Sequence, residues 1–353
     1  MIYLEYPKTK TNFHGKKIAG FDLDYTLIKP KSGKKFPENS SDWKWLYPEV
    51  KSNLIKLSKD KSYVIVIFTN QLGLEKGKTK IEDLKEKFEQ IQMELNINLI
   101  FLISDKDDIF RKPRVGMWKY LKKKGVERNG SFYVGDAAGR IKDTKLPKDH
   151  SDSDRKFAIN AKIDFYTPEV YFLFNKDKTM ERPWEYKGYQ LNYNREKTKK
   201  IKINKEDTNM ILISGLPGSG KTRLAEKLAK KYNYSYLSLD KDKSKLKSKL
   251  NKLIEDKKSV IIEGLLYSNE QRDKYLKLVD KSYQKYLIQL KTDMDLSYHL
   301  NNYRYLNKNG NMVPMVVYHT YRKYYEKPNK KSYEKIFSYY PKIKDKVNKY
   351  FLY

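Results

Sequence analysis

Seven short apolar runs, each bounded by polar or turn-forming residues, set out the architecture of the chain. They start at Lys17–Gly20, Tyr63–Phe68, Ile97–Ile103 and Ser131–Val134, and resume at Met210–Ser214, Tyr236–Asp240 and Ser259–Ile262. Runs of this length, rich in β-branched residues and lacking polar alternation, predict strands buried on both faces, as parallel sheets require. Helical periodicity fills the gaps. It predicts helices over Glu49–Ser58, over Ile81–Leu95, after Pro113 through Leu121, and from Arg223 to about Tyr232. In the second of these, Leu84, Phe88, Ile91 and Leu95 recur at helical spacing, so that stripe is core and the lysines around it are a solvated face. The pattern fades between Asp177 and Asp207. The expected fold is therefore α/β, with two doubly wound parallel-sheet domains at 1–178 and 208–353 and a linker at 179–207.

The strand ends carry the chemistry. The first run leads into Phe21-Asp22-Leu23-Asp24-Tyr25-Thr26-Leu27. Alternate residues of an extended chain point the same way, so Asp22 and Asp24 can share one site. Two neighbouring carboxylates need a cation or a shared proton, and a divalent metal would leave one as nucleophile and the other as proton donor. The plain alternative is a strand end capped by polar turn residues. The second run ends in Thr69-Asn70-Gln71, the third leads to Phe110-Arg111-Lys112-Pro113, and the fourth ends in Gly135-Asp136-Ala137-Ala138-Gly139-Arg140. Carboxyl ends of strands are where open α/β sheets hold ligands.

In the second half, Met210–Ser214 runs into Gly215-Leu216-Pro217-Gly218-Ser219-Gly220-Lys221-Thr222, a complete G-x-x-x-x-G-K-[ST] loop between strand and helix. Its glycines turn backbone N–H groups inward around phosphates, and the helix start adds positive potential. Gly215, Gly218, Gly220, Lys221 and Thr222 are the expected ATP-binding set, with Lys221 on the β- and γ-phosphates and Thr222 on Mg²⁺.

Composition narrows the partners. A formal charge of +31 over 353 residues favours a polyanion such as nucleic acid. Lys, Tyr, Asn and Ile are all abundant, as AT-rich coding would give, so part of that charge reflects coding bias. With no cysteine, disulfides and thiolate metal sites are excluded. None of the four histidines has metal-binding spacing, which leaves His299 a structural reading. There is no long apolar run or signal peptide, which predicts a soluble intracellular protein, nuclear or cytoplasmic, with no membrane partner. Trp43 and Trp45 read as loop packing rather than base stacking, and the basic run Arg195, Lys197, Lys199, Lys200, Lys202 and Lys205 as a solvated tether, with Pro183-Trp184 docking on the first domain as a further option.

The order of strand and acid pair, strand and hydroxyl, lysine, then strand and acid resembles the haloacid dehalogenase (HAD) phosphatase superfamily. SGKKF, SDWKWLYPE, FTNQ, FRKPRVGMW, YVGDAAGR, the run Asp154–Asn160 and TPE narrow it, over about residues 17 to 172, to the phosphatase half of the polynucleotide kinase 3′-phosphatases. The resemblance implies that Asp22 attacks a terminal phosphate to form an aspartyl-phosphate. Asp24 would protonate the leaving 3′-hydroxyl and then activate water, while Thr69 and Lys112 hold the phosphoryl oxygens. Mg²⁺ would be bound by Asp22, Asp136 and the backbone carbonyl of Asp24, with Asp154, or else Asp152, in its outer shell. Tyr25 departs from the family, which usually has glycine there.

For the second domain the resemblance implies a P-loop kinase acting on 5′-hydroxyl ends with ATP. Asp240 would take the hydroxyl proton, with Asp242 its rival. Lys243 stands where some relatives carry an arginine that meets the acceptor phosphate, Glu263 where the family often has Asp, and Arg272 fits an arginine of the following helix. His299–Arg304 and Pro314–Pro328 resemble the lid and its exit helix. Arg304 matches a lid arginine that stabilises the transferring phosphoryl group, and Asn302 replaces a second one. The expected protein is thus a bifunctional nucleic-acid repair enzyme acting on DNA strand ends, RNA remaining open, and feeding a downstream ligase. No forkhead-associated domain is expected ahead of Ile18. Two alternatives stand: a 3′-phosphatase with a degenerate kinase domain, and a non-catalytic basic protein that coats nucleic acid.

Overall fold

The computed structural model describes residues 1–144, 146–191, 201–308, 311–343, 347 and 349–353. It contains two compact units, Met1–Leu191 with Lys349–Tyr353, and Asn192–Asn348. Arg195, Lys197, Lys199 and Lys200 of the expected tether lie outside the described residues, as does the side chain of Lys243.

Unit 1 runs β1 (Ile2–Tyr6), β2 (Lys17–Phe21), β3 (Ile28–Lys29), β4 (Lys44–Trp45), α1 (Glu49–Ser58), β5 (Tyr63–Asn70), α2 (Ile81–Leu95), β6 (Leu99–Ser104), α3 (Gly116–Lys123), β7 (Glu127–Val134), α4 (Ser153–Ala161), β8 (Asp164–Tyr166) and α5 (Pro168–Phe172). Its main sheet has the order β1-β6-β5-β2-β7-β8. The pairs from β6 to β8 are parallel, while β1 lies antiparallel on β6. The hydrophobic pattern marks no strand at β1. Its five residues are all half-buried, so neither alternation nor a buried run marks it.

Both faces of this sheet are core. Ala19, Phe21, Ile65 and Ile67 pack with Leu84, Phe88 and Ile91 of α2. Ile18, Val66, Phe68 and Tyr133 pack on the other side with Met117, Leu121 and Phe157. Neighbours in sequence thus face opposite layers, and each run reads as continuously apolar. Gly20 is the exception that shapes the site. A Cβ there would lie 2.9 Å from the Tyr133 ring, so only glycine lets that ring cross beneath β2. Trp43 is buried, donates to Gln90 Oε1 at 2.9 Å and meets Trp45 edge-on, which is packing.

Two peripheral segments close unit 1. Ile141 N–H donates to Pro183 O at 2.9 Å and the Arg155 guanidinium lies 4.0 Å above the Trp184 ring, so this part of the expected tether is seated on the unit. The last five residues return to it from beyond unit 2. The Asn160 amide accepts from Phe351 N–H at 2.8 Å and donates to Phe351 O at 2.9 Å and to Pro113 O at 2.8 Å, while Arg114 Nε donates to Leu352 O at 2.9 Å.

Unit 2 runs β9 (Thr208–Ser214), α6 (Lys221–Tyr232), β10 (Ser235–Ser238), α7 (Leu246–Glu255), β11 (Val260–Gly264), α8 (Asn269–Leu276), β12 (Tyr283–Leu290), α9 (Met294–Lys308), α10 (Met315–Tyr324) and β13 (Lys335–Tyr339). The order β10-β11-β9-β12-β13 is parallel throughout. The strands β12 and β13 went unread because Gln, Lys and Ser interrupt their apolar residues. The expected strand to Asp240 stops at Ser238, where the Asp242 carboxylate accepts from Ser238 N–H at 2.8 Å and turns the chain.

Candidate active sites

In unit 1 the catalytic residues expected from sequence converge on the carboxyl ends of β2, β5 and β7. Asp22 follows β2, and its N–H bonds Val134 O of β7 at 2.9 Å. Lys112 reaches this point from the loop between β6 and α3. The Asn70 side chain at the end of β5 holds that loop, accepting from Lys112 N–H at 3.0 Å and donating to Lys112 O at 3.2 Å. The Lys112 ammonium then donates to Asp22 Oδ1 at 2.6 Å, Tyr133 OH at 2.7 Å and Asp154 Oδ1 at 2.8 Å. Three donors meet three acceptors, which fixes the side chain completely.

Asp154, at the start of α4, also accepts from Ala137 N–H at 3.0 Å through Oδ2. Thr26 Oγ1 accepts from Asp136 N–H at 3.0 Å, which ties the strand-end turn of β7 to that of β2. Oxygens of Asp22, Asp136 and Asp154 lie within 4.8 Å of one another. Asp152, the alternative to Asp154, turns away and pairs with Lys156 at 3.0 Å. Asp24 is half-buried, and Gln71 Nε2 donates both to its Oδ2 at 3.1 Å and to Thr69 Oγ1 at 2.9 Å.

The electrostatics follow from a charge deficit. Burial alone would strip the proton from Lys112, yet Asp154 and Asp22 outweigh it and hold the ammonium above its ordinary value. Burial pushes the Asp22 carboxyl up; Lys112 pulls it down, and Asp154 and Asp24 push it up again, the net being upward. Asp136 rises well above the carboxylate range for the same reasons, burial first and then Asp22 and Asp154. One ammonium, bonded to Asp22 and Asp154, stands beside three carboxyls, so the set ionises fully only with further positive charge. A divalent cation with hard oxygen ligands fits that set in charge and donor type.

Arg140 stiffens the site from outside. Its guanidinium donates to Asp136 O at 2.7 Å, to Asp149 Oδ2 at 2.8 Å and to Glu169 of the TPE stretch.

Unit 2 builds a phosphate cradle after β9. Gly218 and Gly220 take φ of +77° and +97°, and a Cβ on Gly218 would sit 2.5 Å from Ser297 O. Lys221 folds back on the loop, donating to Gly215 O at 2.9 Å and Leu216 O at 2.8 Å. Burial lowers its pKa to about 8, against the pull of Glu263 and Asp240. Thr222 Oγ1 donates to Glu263 Oε1 at 3.0 Å, so the end of β11 meets the start of α6. Ser238 and Tyr236 donate to the same oxygen at 2.8 and 3.1 Å.

Asp240 is exposed just past β10, whereas Asp242 is spent on Ser238 and on Lys249 at 2.6 Å. Arg304 on α9 is exposed, and its charge acts on Lys221. Asn302 is buried and donates to Tyr298 O of its own helix at 2.9 Å. Arg272 is fully buried, donating to Leu266 O at 2.7 Å and Glu326 O at 2.9 Å, so it bolts α8 to the chain beyond α10.

Four positioning residues escaped the sequence reading. Gln71 stood inside the quoted FTNQ run, but nothing marked its amide as a bridge. Tyr133 looked like strand core because its ring is core. Asn301 accepts from Arg304 at 3.0 Å and donates to Val313 O at 2.9 Å. Tyr318 is fully buried and donates to Pro217 O of the cradle at 3.2 Å. Both stood inside the stretches that resemble the lid and its exit helix, but nothing marked their roles.

The polynucleotide kinase 3 phosphatase family matches residues 17–172 and an AAA domain family matches residues 210–328. A bifunctional polynucleotide phosphatase/kinase of Schizosaccharomyces pombe is 32% identical over 320 residues, covering 89% of this chain and 76% of that protein. The polynucleotide 3′-phosphatase ZDP of Arabidopsis thaliana is 35% identical over 176 residues, covering 44% of this chain and 24% of that protein. Among solved structures, a D,D-heptose 1,7-bisphosphate phosphatase from B. bronchiseptica with magnesium and phosphate matches 45% of this chain and 86% of its own, at 18% identity and a TM-score of 0.35.

Proposed function

The chain belongs to the bifunctional polynucleotide phosphatase/kinase family, and we propose that unit 1 removes 3′-phosphates while unit 2 transfers the γ-phosphate of ATP to 5′-hydroxyls. The carrying observation is the buried set of Asp22, Lys112, Asp136 and Asp154 at the strand ends. Lys112 engages Asp22 Oδ1, which leaves the other oxygen to attack phosphorus and form the aspartyl-phosphate. The Gln71 amide engages one oxygen of Asp24, so the other carries the proton to the departing O3′. Asp24 then takes a proton from water, the resulting hydroxide attacks phosphorus, and Asp22 is released. Thr69 accepts from Gln71, which turns its own hydroxyl proton toward a phosphoryl oxygen. Mg²⁺ held by Asp22 and Asp136, with Asp154 near, would offset the cluster's negative charge and that of the phosphate.

In the kinase, Lys221 leaves its loop carbonyls for the β- and γ-phosphates, and Thr222 with Glu263 would hold Mg²⁺. Asp240 accepts the 5′-hydroxyl proton, and Arg304, oriented by Asn301, meets the charge that builds on the transferring group. The products, a 3′-hydroxyl and a 5′-phosphate, are the ends a ligase joins, and a ligase is the partner we infer downstream.

An oligonucleotide bearing a 5′-hydroxyl and a 3′-phosphate tests both halves at once with labelled ATP. Asp22→Asn should lower 3′-phosphate release at least about a thousandfold and spare label transfer, and Lys221→Ala should do the reverse. Label transfer absent from the parent would leave a phosphatase with a silent kinase, and transfer that survives Lys221→Ala would remove Lys221 from the reaction.

A further inference from the structure

Tyr25 sits between Asp24 and Thr26 with φ of +56°, in the left-handed region that side chains rarely adopt. The turn is pinned by its N–H, which donates to Ile28 O at 2.7 Å. A residue held in such a conformation beside the acid pair calls for an explanation in what its side chain does. The ring is 39% exposed, and the hydroxyl donates to Lys35 O at 2.9 Å.

That carbonyl belongs to a loop, residues 31–39, exposed along its whole length. The base of the loop is fixed by the Asp42 carboxylate, which accepts from Ser32 N–H at 2.8 Å, Ser32 Oγ at 2.7 Å and Glu38 N–H at 2.9 Å. Its tip presents Lys34, Lys35 and Phe36, with Phe36 72% exposed and Lys35 Nζ 5.6 Å from its ring centroid. The Tyr25 hydroxyl also reaches Lys34 O at 3.5 Å, so Tyr25 ties the tip to the catalytic turn.

We propose that Tyr25 determines substrate specificity in the phosphatase, its hydroxyl holding the Lys34–Phe36 tip at the site mouth so that a polynucleotide end is chosen over a small phosphate monoester. A phosphate monoester needs only the buried cluster. A strand end also brings a terminal base and the next phosphodiester, and these meet what the loop offers: aromatic faces at Tyr25 and Phe36 for the base, and for the phosphodiester the Lys35 ammonium beside that of Lys34, which pairs with Glu38. The inference rests on the phosphatase reading above.

The test compares kcat/KM for a 3′-phosphorylated oligonucleotide with that for p-nitrophenyl phosphate. Tyr25→Phe removes only the hydroxyl and should cost about fivefold on the oligonucleotide, mainly in KM. Tyr25→Gly removes the ring and relieves the backbone, and should cost about twentyfold or more. Both should keep p-nitrophenyl phosphate hydrolysis within about threefold of the parent, which also shows that the cluster is folded. Parallel losses on both substrates, or no loss on the oligonucleotide, would overturn the proposal. A parent protein that hydrolyses neither substrate would instead fail the phosphatase reading, and this proposal with it.

Discussion

Replacing Asp154 by asparagine keeps the shape of the buried cluster and removes one charge, and so asks whether that charge holds Lys112. The two oxygens of Asp154 face opposite donors. Oδ1 accepts from Lys112 at 2.8 Å and Tyr133 at 3.2 Å, and Oδ2 from Ala137 N–H at 3.0 Å. An asparagine can serve only one side. With its oxygen toward Lys112, its NH₂ confronts the Ala137 N–H; turned over, it confronts the ammonium. Either way a buried donor is left unsatisfied, at about 1–3 kcal/mol, and a charge-assisted bond of about 1.5–3 kcal/mol is weakened. Asp22 keeps its own 2.6 Å contact and absorbs part of the second cost. A net loss of about 2–4 kcal/mol corresponds to roughly 30- to 1,000-fold in kcat/KM if it is all expressed in the transition state. The assay is 3′-phosphate release, with 5′ phosphorylation by the same sample as the control. Gly135→Ala makes the same displacement by bulk, because a Cβ there would fall 2.5 Å from the Asp154 carboxyl carbon. Activity within about threefold of the parent for both variants would reduce Asp154 to scaffold and refute the reasoning.

Two further outcomes are expected. Tyr318→Phe removes the 3.2 Å bond to Pro217 O and should raise KM for ATP about fivefold, with 3′-phosphate release unchanged; an unaltered KM would show that the cradle needs no such tie. The N–H groups of Glu38 and Ser32 hold the Asp42 carboxyl down to about 2, below its unfolded value. The stability this adds is therefore present above about pH 4 and is lost as pH falls through about 2. In calorimetry the thermal midpoint of the parent should exceed that of Asp42→Asn at pH 6, and the gap should close toward pH 2. A constant gap would contradict the linkage.

What the sequence made legible follows the physics of each element. The central strands and α2 could be read because burial on both faces, or on one stripe, writes a strong pattern. The strands β1, β12 and β13 could not, since half-buried or polar-interrupted strands carry no clear period. The acids and Lys112 were legible because strand ends in an α/β sheet concentrate chemistry, and their convergence needed only the parallel order. Tyr133 was hidden because one side chain serves two purposes, its ring in the core and its hydroxyl on Lys112. Arg272 matched an arginine of the helix after β11 with no role attached, and its burial against backbone carbonyls makes it a fastener. Tyr25 was legible as an oddity of sequence, while the loop it holds emerged only from the backbone path.

The return of residues 349–353 to unit 1 has a practical consequence for anyone dissecting this enzyme. The polypeptide segment bearing the kinase is spliced into the phosphatase chain, so a fragment stopping at Leu191 would take Phe351 from Asn160 and Leu352 from Arg114. Asn160 and Arg114 flank Pro113, next to Lys112, and the excised half would be expected to lose phosphate-cleaving power although every acid survives in it. Rescue by the pentapeptide KYFLY supplied in trans would identify the missing strip as the cause.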